Sequence, residues 1–166
     1  MKHTISVLVE NHSGVLSKVS GLFSRRGFNI ESLAVGVTEN NRVSRITILV
    51  DGDDYTVEQV EKQLNKVIPV IKVKTLAEGT YISRMLSLIK VSAGNGKRAE
   101  IMKIAELMGA KIIDVSQKTM TLEFTDTAER TETLEGLLRP YGIVEIVRTG
   151  NVAIEKGTGL SVSKNV

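Results

Sequence analysis

The stretch "ISVLVENHSGVLSKVSGLFSRRGFNI", Ile5 to Ile30, carries a strand, a tight turn, a helix and a helix stop within one short run. Ile5, Val7 and Val9 alternate with Thr4, Ser6 and Leu8, the period of a strand. Val15, Leu16, Val19, Leu22 and Phe23 then recur at helical spacing. Arg25 and Arg26 complement the dipole at the helix end, and Gly27 suits a left-handed stop. Between strand and helix lie only Asn11, His12, Ser13 and Gly14. A chain that passes from strand to helix this tightly is building a split βαβ unit.

The pattern continues outward. Asn29–Val37 and Val43–Asp51 read as strands joined by the hairpin loop Thr38–Arg42, with Asn40 and Asn41 as turn residues. Thr56-Val57-Glu58-Gln59 fits a capping box opening a second helix. Its apolar positions are Val57, Val60, Leu64, Val67 and Ile68, and Pro69 ends it before a fourth strand, Val70–Leu76. The rest of the chain repeats this order: Tyr81–Val91, a helix over Lys97–Met108, strands at Ile112–Gln117 and Thr119–Thr125, a helix opened by Asp126 with Glu129, and a closing strand Ile143–Ile154. An offset of 82 places Gly14 on Gly96, Gly27 on Gly109 and Ile30 on Ile112; an offset of 74 places Val60 on Leu134 and Val70 on Val144. The expected fold is α+β, two tandem ferredoxin-like βαββαβ domains at 1–77 and 80–156, with a loose tail over 157–166.

Composition narrows the function. The 166 residues are 42% hydrophobic and 25% charged, with 22 basic and 19 acidic side chains interleaved for a net charge of +3. No single-sign block marks a nucleic-acid partner. The chain has no cysteine, which removes thiolate chemistry and cysteine-ligated metals, and its two histidines, His3 and His12, leave little for a metal or a histidine-based catalytic site. No apolar run approaches the roughly 18 residues of a membrane span, and no charged leader precedes the first strand, so the expected location is the cytoplasm with no membrane partner.

Several activities known for this topology need residues that are absent. An RNA-binding sheet needs stacking aromatics, yet Thr4–Val9 and Val43–Val50 contain none. A phosphate-holding arginine or a metal-binding cysteine pair would sit in the first strand–helix turn, which has neither. The paired carboxylates Asp53-Asp54 and Glu58 with Glu61 read as helix N-terminal charge and a solvated face. The turn itself is more informative. Ser13 reads as an N-cap, and Gly14 lets a ligand approach free N–H groups at the positive end of a helix, a setting suited to a small carboxylate. Asn11 both donates and accepts, and Val15 and Leu16 supply an apolar wall. The plainer alternative is that Asn11 only shapes the turn and Gly14 only relieves crowding. The internal repeat favours the ligand: the offset of 82 places Ala93 where the first copy has Asn11 and Lys111 where it has Asn29, while both glycines persist.

The runs "SVLVENHSGVLSKVSGLFSRRGFNIESLAVGVTE", "SRITILVDGDD" and "VEQVEKQLNKVIPVIKV" resemble the small, regulatory subunit of acetolactate synthase, also called acetohydroxyacid synthase. "GAKIIDVS" and "GIVEIVRTGNVAI" extend a looser resemblance through residue 155. The resemblance implies an N-terminal ACT domain that senses amino acids and a second, ACT-like domain. It implies no catalytic residues and no cofactor on this chain. Thiamine diphosphate, magnesium and FAD would sit on a catalytic large subunit that this chain activates and subjects to feedback inhibition, usually by valine. The family's effector site matches at Asn11, Gly14 and Asn29, with Gly36 nearby where relatives often carry alanine. With Ser13, Val15, Leu16 and Ile30 these are the expected effector residues. An ACT protein regulating a different enzyme is the alternative.

Helix length adds a constraint. The helix between Asn11 and Asn29 has about 13 residues, so its ends lie roughly 20 Å apart, too far for one free amino acid to bridge both asparagines. Sharing an effector therefore calls for a homodimer, Asn11 from one chain and Asn29 from the other.

Overall fold

A computed structural model describes residues 1–157; the expected tail beyond Gly157 lies outside the described residues. The elements run β1 (Lys2–Glu10), α1 (Val15–Arg26), β2 (Ile30–Val37), β3 (Val43–Asp51), α2 (Asp54–Leu64), β4 (Val70–Leu76), β5 (Tyr81–Ser92), α3 (Arg98–Met108), β6 (Lys111–Val115), β7 (Thr119–Asp126), α4 (Ala128–Leu138), a 3₁₀ turn (Arg139–Tyr141), β8 (Ile143–Arg148) and β9 (Val152–Glu155). The strand orders are β2-β3-β1-β4 and β6-β7-β5-β8, with β9 pairing β5. Every ladder within the two four-strand paths is antiparallel. Both are the expected ferredoxin-like arrangement.

Two compact units result: Met1–Ile82 with the described residues from Gly150 onward, and Ser83–Thr149. In the first, Ile5, Val7 and Val9 of β1 and Ile46, Ile48 and Val50 of β3 bury against Val15, Val19, Leu22 and Phe23 of α1 and Val57, Val60 and Leu64 of α2. In the second, Ile89, Val91, Met120, Leu122 and Phe124 pack on Ile101, Ala105 and Met108 of α3 and Leu134 and Leu138 of α4. Gly27 at φ +69° and Gly109 at φ +78° cap α1 and α3 in the left-handed conformation, so the repeated glycines do equivalent backbone work.

Three boundaries differ from expectation. Asp53, not Thr56, caps α2, accepting from the Thr56 N–H at 2.8 Å. The helix ends at Leu64, and Val67 donates to Leu64 O in a tightened turn that leaves Ile68 93% exposed. Residues before proline avoid helical geometry, and here the helix stops well short of Pro69. Thr127, rather than Asp126, caps α4 through Arg130 N–H.

The closing strand expected over Ile143–Ile154 is two strands. β8 belongs to the second unit, and residues from Gly150 return to the first. This returning segment lies on the sheet face opposite α1 and α2. Gly150 packs so tightly that a Cβ there would stand 2.7 Å from the carbonyl of Leu33 on β2. Glu155 pairs with Lys74 on β4, and Lys156 donates from its backbone N–H to Thr80 O and from its ammonium to Gly79 O. On that face Thr4, Ser6 and Leu8, the alternate positions of β1, are also buried. Thr4 shares a hydrogen bond with the Tyr81 hydroxyl at 3.1 Å.

Candidate functional site

The turn from Glu10 to Gly14 is held from two sides by backbone bonds. Glu10 N–H donates to Pro69 O at 2.9 Å, and Asn11 N–H donates to Arg42 O at 2.8 Å. The second copy repeats the latter bond with Ala93 N–H on Lys118 O at 2.8 Å, so this bond belongs to the framework. Asn11 adds a bond of its own, Nδ2 to the Asn41 carbonyl at 2.8 Å. Part of the asparagine therefore shapes the fold, and the oxygen of the same amide remains available as an acceptor. Asn41 and Arg42 were not singled out from the sequence. Only the turn signal at Asn40-Asn41 hinted that the hairpin would meet the first turn.

Ser13 is not the N-cap. That position is Gly14, at φ +85° with no side-chain cap bond, and Lys18 N–H reaches back to its carbonyl at 3.1 Å. The left-handed backbone favours glycine, although a Cβ there would meet nothing within 4 Å. α1 has no acidic residue in its first turn. By contrast α2 has Asp53 and Asp54, α4 has Thr127 and Glu129, and α3 has Glu100. Among the described α-helices, α1 alone starts with neither a side-chain cap nor an acidic residue. Its first N–H groups and positive dipole end stand uncompensated beside exposed Ser13 and Gly14.

His12 is poised between two acceptors. Its Nε2 is 2.9 Å from Glu10 Oε2 and its Nδ1 is 3.1 Å from Ser13 O. Both nitrogens can donate only in the imidazolium form. The Ser13 carbonyl, and then the Glu10 carboxylate, raise the His12 pKa above the ordinary 6.5.

The structure separates the other expected residues. Val15 is 3% exposed and points into the core, so it backs the turn instead of forming an open wall. Leu16, 45% exposed, is the apolar side chain that the turn presents. Asn29 is exposed beyond Gly27 at the far end of α1, and Ile30 packs partly on the core. The 12 residues of α1 span about 18 Å, so within one chain Asn11 and Asn29 do not converge. Gly36 pairs with Arg45 on the face away from the helices and lines a different groove from Asn11. Asn11 borders an open depression of about 830 Å³ with Glu10, His12, Asn41, Arg42, Val43 and Ile71. No cluster of metal-ligating side chains occurs among the described residues, and none of their helices is long and apolar enough to cross a membrane.

Comparison with known proteins is consistent over the whole described chain. A sequence model for the AHAS small subunit-like ACT domain matches residues 5–72, and one for the small subunit of acetolactate synthase matches residues 84–157. The chain is 52% identical over 157 residues to a probable acetolactate synthase small subunit of Archaeoglobus fulgidus, covering 95% of this chain and 98% of that one. It is 50% identical over 163 residues to the acetolactate synthase small subunit of Mycolicibacterium smegmatis, covering 98% and 96%. The crystal structure of the small subunit from Thermotoga maritima superimposes with a TM-score of 0.88 at 40% identity, covering 95% of this chain and 98% of that chain.

Proposed function

The chain belongs to the acetolactate synthase small-subunit family, and from that premise we propose that it is the regulatory subunit of this enzyme in branched-chain amino acid synthesis. It activates a catalytic large subunit in the cytoplasm and imposes feedback inhibition by valine or a related amino acid. The thiamine diphosphate, magnesium and FAD of the reaction belong to that partner. The N-terminal ACT domain, residues 1–77, is the sensing part, and residues 80–156 carry the second sequence repeat, whose last residues from Gly150 pack with the first unit.

The observation that carries the effector site is the uncompensated start of α1 beside the Asn11 amide. The effector carboxylate lies on the N–H groups after Gly14 and Ser13, and the ammonium on Asn11 Oδ1. The aliphatic side chain covers Leu16. Asn29 and Ile30 come from a second copy, because the span of α1 keeps Asn29 out of reach within one chain. β2 supports such a pairing: it is an edge strand, with Val35 46% and Val37 59% exposed. A homodimer through this edge makes two equivalent sites. Effector binding then favours one dimer geometry that the large subunit reads, with a coupling of about 1–3 kcal/mol.

Reconstitution with the large subunit tests this. Asn11→Ala, Gly14→Asp and Asn29→Ala each remove inhibition while leaving activation of the large subunit intact. Normal inhibition of all three variants would refute the site.

A further inference from the structure

The face of the first sheet opposite α1 and α2 holds a second group of polar side chains that the effector site does not use. Arg45 lies in the middle of it, directly across from Gly36 on β2 and Leu8 on β1, with Lys72 next in the same row. The arginine is half-buried, and its guanidinium makes no hydrogen bond or ion pair with any described residue. Gly36 leaves open space above it, since a Cβ there would meet nothing within 4 Å. In the adjacent row Thr47 is 3% exposed, and its hydroxyl likewise has no hydrogen-bond partner among the described residues. The Thr47 hydroxyl is not one of the fully buried unpartnered polar atoms, so it stays accessible from the groove as a donor.

Arg45 and Thr47 line a groove of about 310 Å³ between β2, β3 and the returning segment Val152–Ile154. Its floor is Ala34 and Gly36, and its far wall is Val152, Ala153 and Ile154. The volume lies at the small end of the range for small-molecule sites. Glu155, paired with Lys74, lines the adjoining cleft, and Glu39 lies exposed at the rim; neither makes an ion pair with Arg45 or Lys72. A guanidinium fork and a hydroxyl donor facing an aliphatic wall match an oxyanion that carries a short apolar body.

We propose that this groove is a second ligand site, distinct from the turn at Asn11, that takes a short-chain aliphatic carboxylate. The carboxylate forms two parallel bonds with Arg45, and one of its oxygens accepts from Thr47. The aliphatic chain covers Ala153 and Ile154.

The test is calorimetric titration of the full chain with 3-methylbutanoate, with inorganic phosphate and valine as separate arms. The parent chain binds the acid saturably, one per chain, and more tightly than it binds phosphate. Arg45→Gln weakens that binding by at least about tenfold, the loss expected for a charged hydrogen-bond pair. Thr47→Val preserves shape, so it weakens binding several-fold without lowering the melting temperature. Asn11→Ala binds the acid as the parent does, whatever it does to valine. Absence of saturable binding to the parent overturns the proposal, as does unchanged binding by either groove variant. Arg45-dependent binding that favours phosphate over the acid also overturns it.

Discussion

His12 shows how one residue can set the condition of the turn. The Ser13 carbonyl and the Glu10 carboxylate both stabilise its charged form, raising its pKa. A raised folded-state pKa means this stabilisation is fully present below the unfolded value of about 6.5 and is lost as pH rises through the folded value. NMR titration of the imidazole should find a pKa above 6.5, and Glu10→Gln should move it back toward that value; titration at or below 6.5 in the parent would contradict the geometry. Gly14 was legible in the sequence as a special position. The plainer alternative, relief of crowding, does not hold, since a Cβ there meets nothing within 4 Å, and its φ of +85° admits few other residues. Asn11 was legible as a candidate, whereas its bond to the Asn41 carbonyl was not, because that partner lies 30 residues away. Asn41 belongs to a hairpin whose approach depends on tertiary folding.

At the scale of elements, periodicity located the strands and helices of both copies, and the local chemistry of their ends accounts for the departures. Thr56 and Asp126 each sit near a plausible cap, but the residue whose backbone is extended takes the role: Asp53 at ψ 173° and Thr127 at ψ 159°. Asp53→Ala and Thr127→Ala should each lower stability by about 1 kcal/mol in urea unfolding, whereas Thr56→Ala, at a position whose backbone N–H is the donor, should cost less. The break between β8 and β9 was hidden because Ile143–Ile154 keeps a strand-like composition throughout. What divides it is Gly150, whose missing side chain lets the chain meet the Leu33 backbone on β2. Gly150→Val should destabilise the protein by about 1–3 kcal/mol, the usual cost of overpacking. Hydrogen exchange should place the resulting loss of protection at β2. Unchanged stability would mean that the segment docks loosely.

For the whole molecule, duplication of one topological unit did not duplicate its chemistry. Both copies keep the helix-stop glycine and the backbone bond from the turn to the hairpin. Only the first adds the Asn11 amide, and only its first helix begins without an acidic residue or a side-chain cap. That asymmetry supports the proposal that the first domain senses the effector, and the length of α1 is the reason the proposed site draws on a second chain. Gly14→Asp is the sharpest probe. A side chain at that position has open space, and aspartate is among the few residues that visit left-handed backbone. The variant should therefore fold while placing a negative charge where the effector carboxylate would lie. Activity of the reconstituted enzyme should then be measured across a valine, leucine and isoleucine series with parent and Gly14→Asp subunits. Full activation by both is expected, with inhibition by at least one amino acid for the parent and loss of that inhibition for the variant. Equal inhibition of the two, in enzyme equally activated, would contradict the proposed site.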